Sequence, residues 1–501
     1  MVSPGVSFEN VSFAYEGASR PLLEGLTARF PPGWTGIIGA NGAGKTTILY
    51  LATERLKPIS GCVRTFGRAL YCPQRTDSPP EHFDSLIHAQ DADAYEIKGR
   101  LAVRDDWLTR WDTLSYGERK RGQIAVALWL HPEVLAIDEP TNHIDADARL
   151  LLISALQGFK GSGLLVSHDR ELLDGMCSQC LFVDPPTAIM RPGGYTNGAL
   201  EARREDEQRR RERRQVRAAF ERLRREVIRR RDKASRADRQ RSKRGLPLHD
   251  HDARGKIDLA RVTGKDGQAG HLTRQLEGRL EQAEQTLERA RVRKTHRLGI
   301  WIPGARSQRD HVFQIPAGEI PLGPNRRLRF PDLRMRPDDR VALTGPNGMG
   351  KTTLVRLIVN SLNVPPDKVT YVPQEIDLRN STELLRQVRS LNDETLGRVM
   401  AVVSCLNSRP HRLLETDEPS PGEVRKLLLA LGIAHAPHFV LMDEPTNHLD
   451  LPSVECLEEA LVDCPCALFL VSHDNRFLNC LTRSRWRVTP DEKGAQLLSE
   501  H

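Results

Sequence analysis

The nine residues IDEPTNHID, beginning at Ile137, return 305 positions later as MDEPTNHLD from Met442. GANGAGKTT from Gly39 recurs as GPNGMGKTT from Gly345, and YCPQ from Tyr71 recurs as YVPQ from Tyr371. LSYGERKR from Leu114 is answered by PSPGEVRK from Pro419, and VSHD stands at both Val166 and Val471. The order is kept throughout, at offsets of 300 to 306 residues. A chain that repeats itself in this way folds as a duplicated domain. Its 501 residues exceed what one core accommodates and suit two or three domains. The expected division is 1–195, a different segment over 196–309, and 310–501.

That middle segment holds the charge. Residues 201–300 carry 31 Lys and Arg against 17 Asp and Glu, whereas the rest of the chain has 43 against 49. One basic segment between two mildly acidic domains is the electrostatic footprint of a protein that meets nucleic acid. From Leu200 to Lys233 the composition is almost wholly Arg, Glu, Gln and Ala, which favour helix. Val216, Phe220, Leu223 and Val227 are spaced 4, 3 and 4 apart, and Leu276, Leu280, Ala283, Leu287 and Ala290 repeat the rhythm. Two heptad stripes either side of a turn-rich stretch, Arg241 to Gly270, predict an antiparallel helical hairpin. A first helix of about 35–40 residues reaches roughly 50–60 Å. Phe220 is the one aromatic before the tip, so base stacking is not the expected mode; backbone and shape recognition of structured RNA is.

Each repeat has its own chemistry. Gly39 to Thr46 and Gly345 to Thr352 match G-x-x-x-x-G-K-[ST], with apolar runs before and helix formers after. In this loop Gly39, Asn41, Gly42 and Gly44, like Gly345, Asn347, Gly348 and Gly350, let backbone N–H groups converge on phosphate oxygens. Lys45 and Lys351 reach the β/γ-phosphates, the Thr46 and Thr352 hydroxyls bind Mg²⁺, and Thr47 and Thr353 are counted with them as ATP-binding residues. VLAIDE and FVLMDE read as buried parallel strands that deliver acids to their C-terminal ends, so the fold class is α/β. Asp138 and Asp443 are placed to hold Mg²⁺, Glu139 and Glu444 to polarise the attacking water, and His168 and His473 to contact a γ-phosphate.

The full set resembles the ATP-binding cassette ATPases. The resemblance implies ATP and Mg²⁺ as cofactors and two P-loop ATPase domains joined by the hairpin. It implies that Gln74 and Gln374 are the glutamines that sense Mg²⁺, and that Ser115, Gly117 and Glu118, with Ser420, Gly422 and Glu423, are signature residues. Two such cassettes pack head to tail within one chain, each signature completing the other's phosphate loop. Tyr15, in FAYEG, resembles the aromatic that stacks on adenine; at the equivalent distance before the second loop stands Pro321. The second signature has Pro419 and Pro421 where Leu and Gly are usual, so the two sites are expected to be unequal.

PTNHID and PTNHLD resemble the ABC-F branch, which has no transmembrane partner. That resemblance implies a cytoplasmic, monomeric protein of the 70S ribosome, in contact with rRNA and tRNA and with neither membrane nor DNA. Its linker would enter the tRNA exit site and a tip over 240–267, including Leu246, Leu248 and His249, would approach the peptidyl-transferase centre. Ser115 follows Gln74 by only 41 positions, too few for the extra arm of some housekeeping members. An armless body with a long linker resembles the members that give antibiotic resistance by protecting the ribosome. A housekeeping translation factor and, less well matched, the tandem ATPase of an importer are the alternatives. The bulk properties agree: MVSPGVSFEN lacks a signal-peptide pattern, and the longest apolar runs fall well short of the roughly 20 residues of a membrane span. The nine cysteines are scattered. Cys177 and Cys180 form a lone CxxC and Cys464 and Cys466 a closer pair; with no second pair to complete a zinc site, reduced structural thiols are expected.

Overall fold

The computed structural model describes residues 5–18, 20–142, 144–240, 265–289, 305–323, 326–374, 378–406, 420–447, 449–491 and 494–500. The expected hairpin tip therefore lies outside the described residues over 241–264, Leu246, Leu248 and His249 included, as do Ala290 and Pro419. Residues 1–198 and 296–501 form one compact unit, and residues 199–295 form a second.

In the first unit, each repeat is built on a mainly parallel sheet. The first has six strands in the order Ala69–Cys72, Val134–Asp138, Ser162–Val166, Gly33–Gly39, Cys177–Asp184 and Thr187–Pro192. The second repeats that order with Val369–Val372, Phe439–Asp443, Ala467–Val471, Arg340–Thr344, Ser484–Asp491 and Gly494–Glu500. It then continues into Arg326–Phe330 and Gly318–Gly323, for eight strands. In the first repeat the antiparallel strands Leu23–Phe30, Val6–Phe13 and Ser60–Thr65 make a separate three-stranded sheet instead. The strands that end in acid are buried along their whole length, at Val134–Asp138 and Phe439–Asp443 alike. Helices cover both faces of a parallel sheet, which is why these strands read as unbroken apolar runs rather than alternating ones.

Between Gln74 and Ser115 the chain forms two short helices, Phe83–His88 and Ala92–Arg100, and two single helical turns. They pack on the helix Tyr116–Trp129: Phe83 and Trp111 meet edge to face at 5.1 Å, and Trp111 Nε1 donates to Thr76 O at 3.2 Å.

In the second unit a helix runs to Gln240 and another spans Lys265–Arg289. Val216, Phe220 and Leu223 are half-buried and Val227 is buried, between exposed neighbours; Leu276 is buried and Leu280, Ala283 and Leu287 are half-buried. Arg231 on the first helix donates to Glu277 on the second at 3.0 Å. Both helices extend beyond their expected limits. The first begins at Tyr195, not Leu200, and has 46 residues, roughly 69 Å of helix. Its opening turn is held by Asp174, which accepts from Thr196 N at 2.7 Å and from the Thr196 hydroxyl. A cap supplied from a distant element leaves no mark in GGYTNGAL, which reads locally as a turn. The second helix begins at Lys265, within the turn-rich stretch; an anchored apolar stripe carries a helix past single glycines that cost only about 1 kcal/mol each.

Among the described residues no helix is long and apolar enough to cross a membrane.

Candidate active site

The site begins at the loops after Gly33–Gly39 and Arg340–Thr344. Gly42 and Gly348 sit at φ +75° and +74°, and a Cβ at either would meet nothing within 4 Å, so the concave side of each loop is open. Gly44 and Gly350, at φ +95° and +90°, are pressed against Leu22 and Leu322; a Cβ there would stand 2.8 and 2.6 Å from a leucine methyl. These glycines turn the chain into helices Lys45–Ala52 and Lys351–Asn360, neither of which has a side-chain cap. A bare helix N-terminus facing an open concave loop is an anion site by construction.

The lysines lie folded along their own loops. Lys45 Nζ donates to Gly39 O at 2.9 Å and Ala40 O at 3.2 Å. Lys351 Nζ donates to Gly345 O at 2.6 Å, Pro346 O at 3.1 Å and Asn347 Oδ1 at 3.3 Å, and lies 3.4 Å from His473 Nε2. Burial lowers the pKa of both ammonium groups, against the opposing pull of nearby carboxylates.

The acids arrive from the neighbouring strands. Thr46 Oγ1 donates to Asp138 Oδ2 at 2.7 Å, as Tyr71 OH does at 3.3 Å. Glu139 and Glu444 adopt φ +46° and +50°, which a side chain with Cβ rarely takes. Backbone strain of this kind gathers at functional positions. Burial pushes the Glu139 carboxyl up to about 7 and that of Glu444 to about 8, with Lys45 and Lys351 opposing. Asp443 is raised to about 6 for the same reason. Glu139 Oε1, Glu444 Oε1 and Asp443 Oδ2 are buried with no hydrogen-bond partner among the described residues. Asp443 Oδ2, buried without a donor, and the two glutamate oxygens, whose neighbours are His168 Nε2 at 3.2 Å from Glu139 Oε1 and the His473 ring beside Glu444, fit a hard divalent cation and a water beside a threonine hydroxyl and a phosphate-type loop. His168 N donates to Glu139 Oε2 at 3.2 Å, and His473 Nε2 lies 3.6 Å from Glu444 Oε1. Burial, with Lys351 alongside, pushes the His473 imidazole down to about 4.

In the second repeat these groups share one cleft of about 420 Å³, lined by Asn347, Gly348, Gly350, Lys351, Thr352, Thr353, Gln374, Asp443 and Glu444, with Pro321 and Leu322 at its edge. Tyr15, half-exposed, is tied to the first loop by a 2.9 Å hydroxyl contact with Thr47, its ring edge-on to Phe13.

Ser115 and Ser420 begin helices Tyr116–Trp129 and Pro421–Ala434 with matching geometry, φ −63° and ψ 157° against φ −63° and ψ 154°. Each is half of a capping box. Glu118 Oε2 accepts from Ser115 N and Oγ at 2.8 Å, and Glu423 Oε2 accepts from Ser420 N at 2.9 Å and Oγ at 2.8 Å. Glu118 and Glu423 thus cap their own helices, so each signature offers a ligand a fixed helix N-terminus rather than a carboxylate. Pro421 occupies the first helical position, where its missing N–H costs nothing, and leaves the cap undisturbed. Gly117 and Gly422 lie buried behind the serines. Gln74 is exposed, and its carbonyl accepts from Tyr116 OH at 2.5 Å.

Sequence reading missed Asp145 and Asp450, the last residues of the repeated phrase. Asp450 caps the helix Leu451–Val462 and reaches the opposite repeat, its Oδ2 accepting from Asn41 N at 2.9 Å. Asp145 caps Ala146–Gln157 and lies within electrostatic range of Lys351 and His473. The repeat of the aspartate was the available signal, but its partner lies some 400 residues away in sequence and no local pattern shows it. Also missed was Arg170, buried and bidentate to Glu458 at 2.8 and 2.5 Å, with Asp474 at 3.4 Å. Tyr195 OH donates to Glu455 nearby at 2.8 Å.

Comparison with known proteins agrees with this geometry. The family model described as ABC transporter matches residues 23–142 and again 328–447. The chain is 28% identical to the ribosome protection protein VmlR of Bacillus subtilis over 96% of its own length and 86% of that protein's. It is 29% identical to the tylosin resistance ATP-binding protein TlrC of Streptomyces fradiae, covering 96% and 97%. With the energy-dependent translational throttle protein EttA of Escherichia coli the identity is 27%, over 92% and 88%. Among solved structures, the RNase-L inhibitor superposes with a TM-score of 0.63 at 18% identity, covering 98% of this chain and 90% of that one, a likeness of fold.

Proposed function

We propose that this chain, which belongs to the ABC-F branch of the ATP-binding cassette proteins and is an ATPase, works on the ribosome and protects it from an antibiotic. The observation that carries the ribosome reading is the linker: a single 46-residue helix, rich in exposed arginine, continuous with the end of the first cassette. Many of its arginines have acidic helical neighbours, as Arg209 has Glu205 at 3.5 Å, but 31 basic against 17 acidic residues over 201–300 leave a net positive charge that suits phosphates. Relatives named for ribosome protection and for tylosin resistance support the protective role. The relative named as a translational throttle favours a second reading, a factor that regulates translation without a drug.

In the proposed cycle ATP lies on each phosphate loop, and the opposite signature serine and helix N-terminus face its γ-phosphate. Glu139 and Glu444 orient and polarise water, their carboxylates raised toward neutrality and so suited to accept a proton. His168 and His473 hold the terminal phosphate, and Tyr15 stacks on one adenine. Thr46, Gln74 and Asp138 would hold Mg²⁺ in one site and Thr352, Gln374 and Asp443 in the other, where the ion neutralises developing phosphate charge. The linker enters the tRNA exit site, and residues 240–267 approach the peptidyl-transferase centre and its tRNA. The chain acts in the cytoplasm as a monomer over 1–195, 196–309 and 310–501.

The test is co-sedimentation of Glu139→Gln/Glu444→Gln with bacterial 70S ribosomes, in ATP and in ADP. ATP-dependent movement into the 70S peak is expected, and translation inhibited by drugs of the peptidyl-transferase region should recover in the presence of the native chain, which can hydrolyse ATP and leave the ribosome. No co-sedimentation with either nucleotide overturns the ribosome reading; association without recovery selects the translation-factor reading.

A further inference from the structure

Lys120 lies five residues beyond the first signature serine and is fully buried. Its ammonium donates to two backbone carbonyls, Pro73 O at 2.7 Å and Asp138 O at 3.2 Å. The counterpart in the second cassette, at the same 305-residue offset, is Arg425, 4% exposed. Its guanidinium donates to Pro373 O at 3.3 Å, Gln374 O at 2.5 Å, Glu444 O at 3.1 Å and Asn447 O at 2.6 Å. A cation buried twice at one position is a costly way to fill space that leucine or methionine would fill. The acceptors explain it. One set precedes or includes the glutamines Gln74 and Gln374; the other lies at Asp138 and Glu444, where the acid-bearing strands end.

We propose that Lys120 and Arg425 are positioning residues for ATP hydrolysis, each fastening the glutamine loop and the acidic strand end of its own cassette to the helix that starts at the signature serine. Three motifs separated in sequence then move as one piece when that serine meets a phosphate. Among the described residues neither cation hydrogen-bonds the nucleotide loop of its own cassette; both act through backbone carbonyls of the glutamine loop and the acidic strand end. Arg425 does one thing more. Asn447 lies in the phrase that leads to Asp450, and Asp450 accepts from Asn41 N of the opposite cassette at 2.9 Å. In the second cassette the fastening therefore reaches the segment that touches the first phosphate loop. An arginine fork can serve four carbonyls at once, whereas an ammonium has three protons and no planar reach.

This inference rests on the ATPase assignment and not on the ribosome reading. Steady-state hydrolysis and co-sedimentation are therefore measured side by side on the full chain. Lys120→Met placed in the Glu444→Gln background and Arg425→Met placed in the Glu139→Gln background, so that the altered cassette's own site carries the rate, are each expected to lower the parent background's kcat at least about tenfold while KM for ATP stays within about threefold, the pattern of an interaction that matters in the transition state rather than in binding. Lys120→Arg should restore kcat to within about threefold of the parent, because it restores charge and donors. Parental kcat in both methionine variants overturns the proposal, and so does a raised KM at unchanged kcat. Should the methionine variants fail to fold by circular dichroism, Arg425→Lys decides. It keeps the charge but loses the fork, and is expected to lower kcat about threefold at unchanged KM; parental kcat in that variant overturns the proposal.

Discussion

In the first cassette Asp138 is held from two sides, by the hydroxyls of Thr46 and Tyr71; in the second, Asp443 keeps one carboxylate oxygen buried without a partner among the described residues. Around them the backbones agree closely: the following glutamates sit at φ +46° and +50°, and the signature serines open their helices through the same capping box. Side chains differ. Arg425 stands where the first cassette has Lys120, Tyr15 has Pro321 at its counterpart's distance, and both loop lysines bond loop carbonyls, but Lys351 also reaches its histidine and asparagine. Duplication has kept the main-chain geometry that phosphate chemistry needs and let the surroundings of each titrating group drift. Two sites of one design therefore have different electrostatics.

The largest effect should come from the glutamates. Glu139→Gln/Glu444→Gln is expected to lower ATP hydrolysis by roughly two to four orders of magnitude, the usual contribution of a positioned base, while ATP is retained on filter binding. The single variants sharpen the comparison, since each residual rate belongs to the other site; residual rates equal within error would break the claim of inequality. Phosphate release unaltered in the double variant would remove the glutamates from the mechanism.

Next in size is the ion pair between cassettes. Arg170→Ala leaves Glu458 and Asp474 without their buried partner and should cost about 3–5 kcal/mol in urea unfolding. Arg149, which pairs with Asp169 at 2.5 and 2.8 Å inside the first cassette, is the control. Only Arg170→Ala should separate unfolding into two transitions, one per cassette; a single shared transition would show that Arg170 does not couple them.

Tyr15→Ala should raise the KM for ATP about three- to tenfold, the scale of one aromatic contact. The effect should appear in the Glu444→Gln background, where the first site turns over, and vanish in the Glu139→Gln background. Equal effects in both would place the ring's influence elsewhere.

Smallest are the caps. Ser115→Ala and Ser420→Ala should each cost about 1 kcal/mol by thermal unfolding, because the two boxes are alike. A clearly larger loss at Ser420 would mean that the proline signature leans on its serine more heavily than its geometry indicates.

The sequence by itself determined whatever is set by short-range spacing. A glycine-rich loop between strand and helix, an acid closing an apolar run and a serine three residues before a glutamate each carry their geometry within a few residues. So do the two stripes at 4-3 spacing, whose described members are covered positions of their helices. The tertiary structure alone decided where long side chains end and who caps whom. Lys120 and Arg425 read as ordinary charges on a helix until the sheet closes over them, since nothing local distinguishes a buried cation from a solvated one. Thr196 starts its helix early because Asp174 happens to lie beside it, and Asn41 finds Asp450 because the folded chain brings a residue of each cassette together. Such contacts join residues brought together by the whole chain's packing, and periodicity, which records only the face a residue turns, has no means of encoding them.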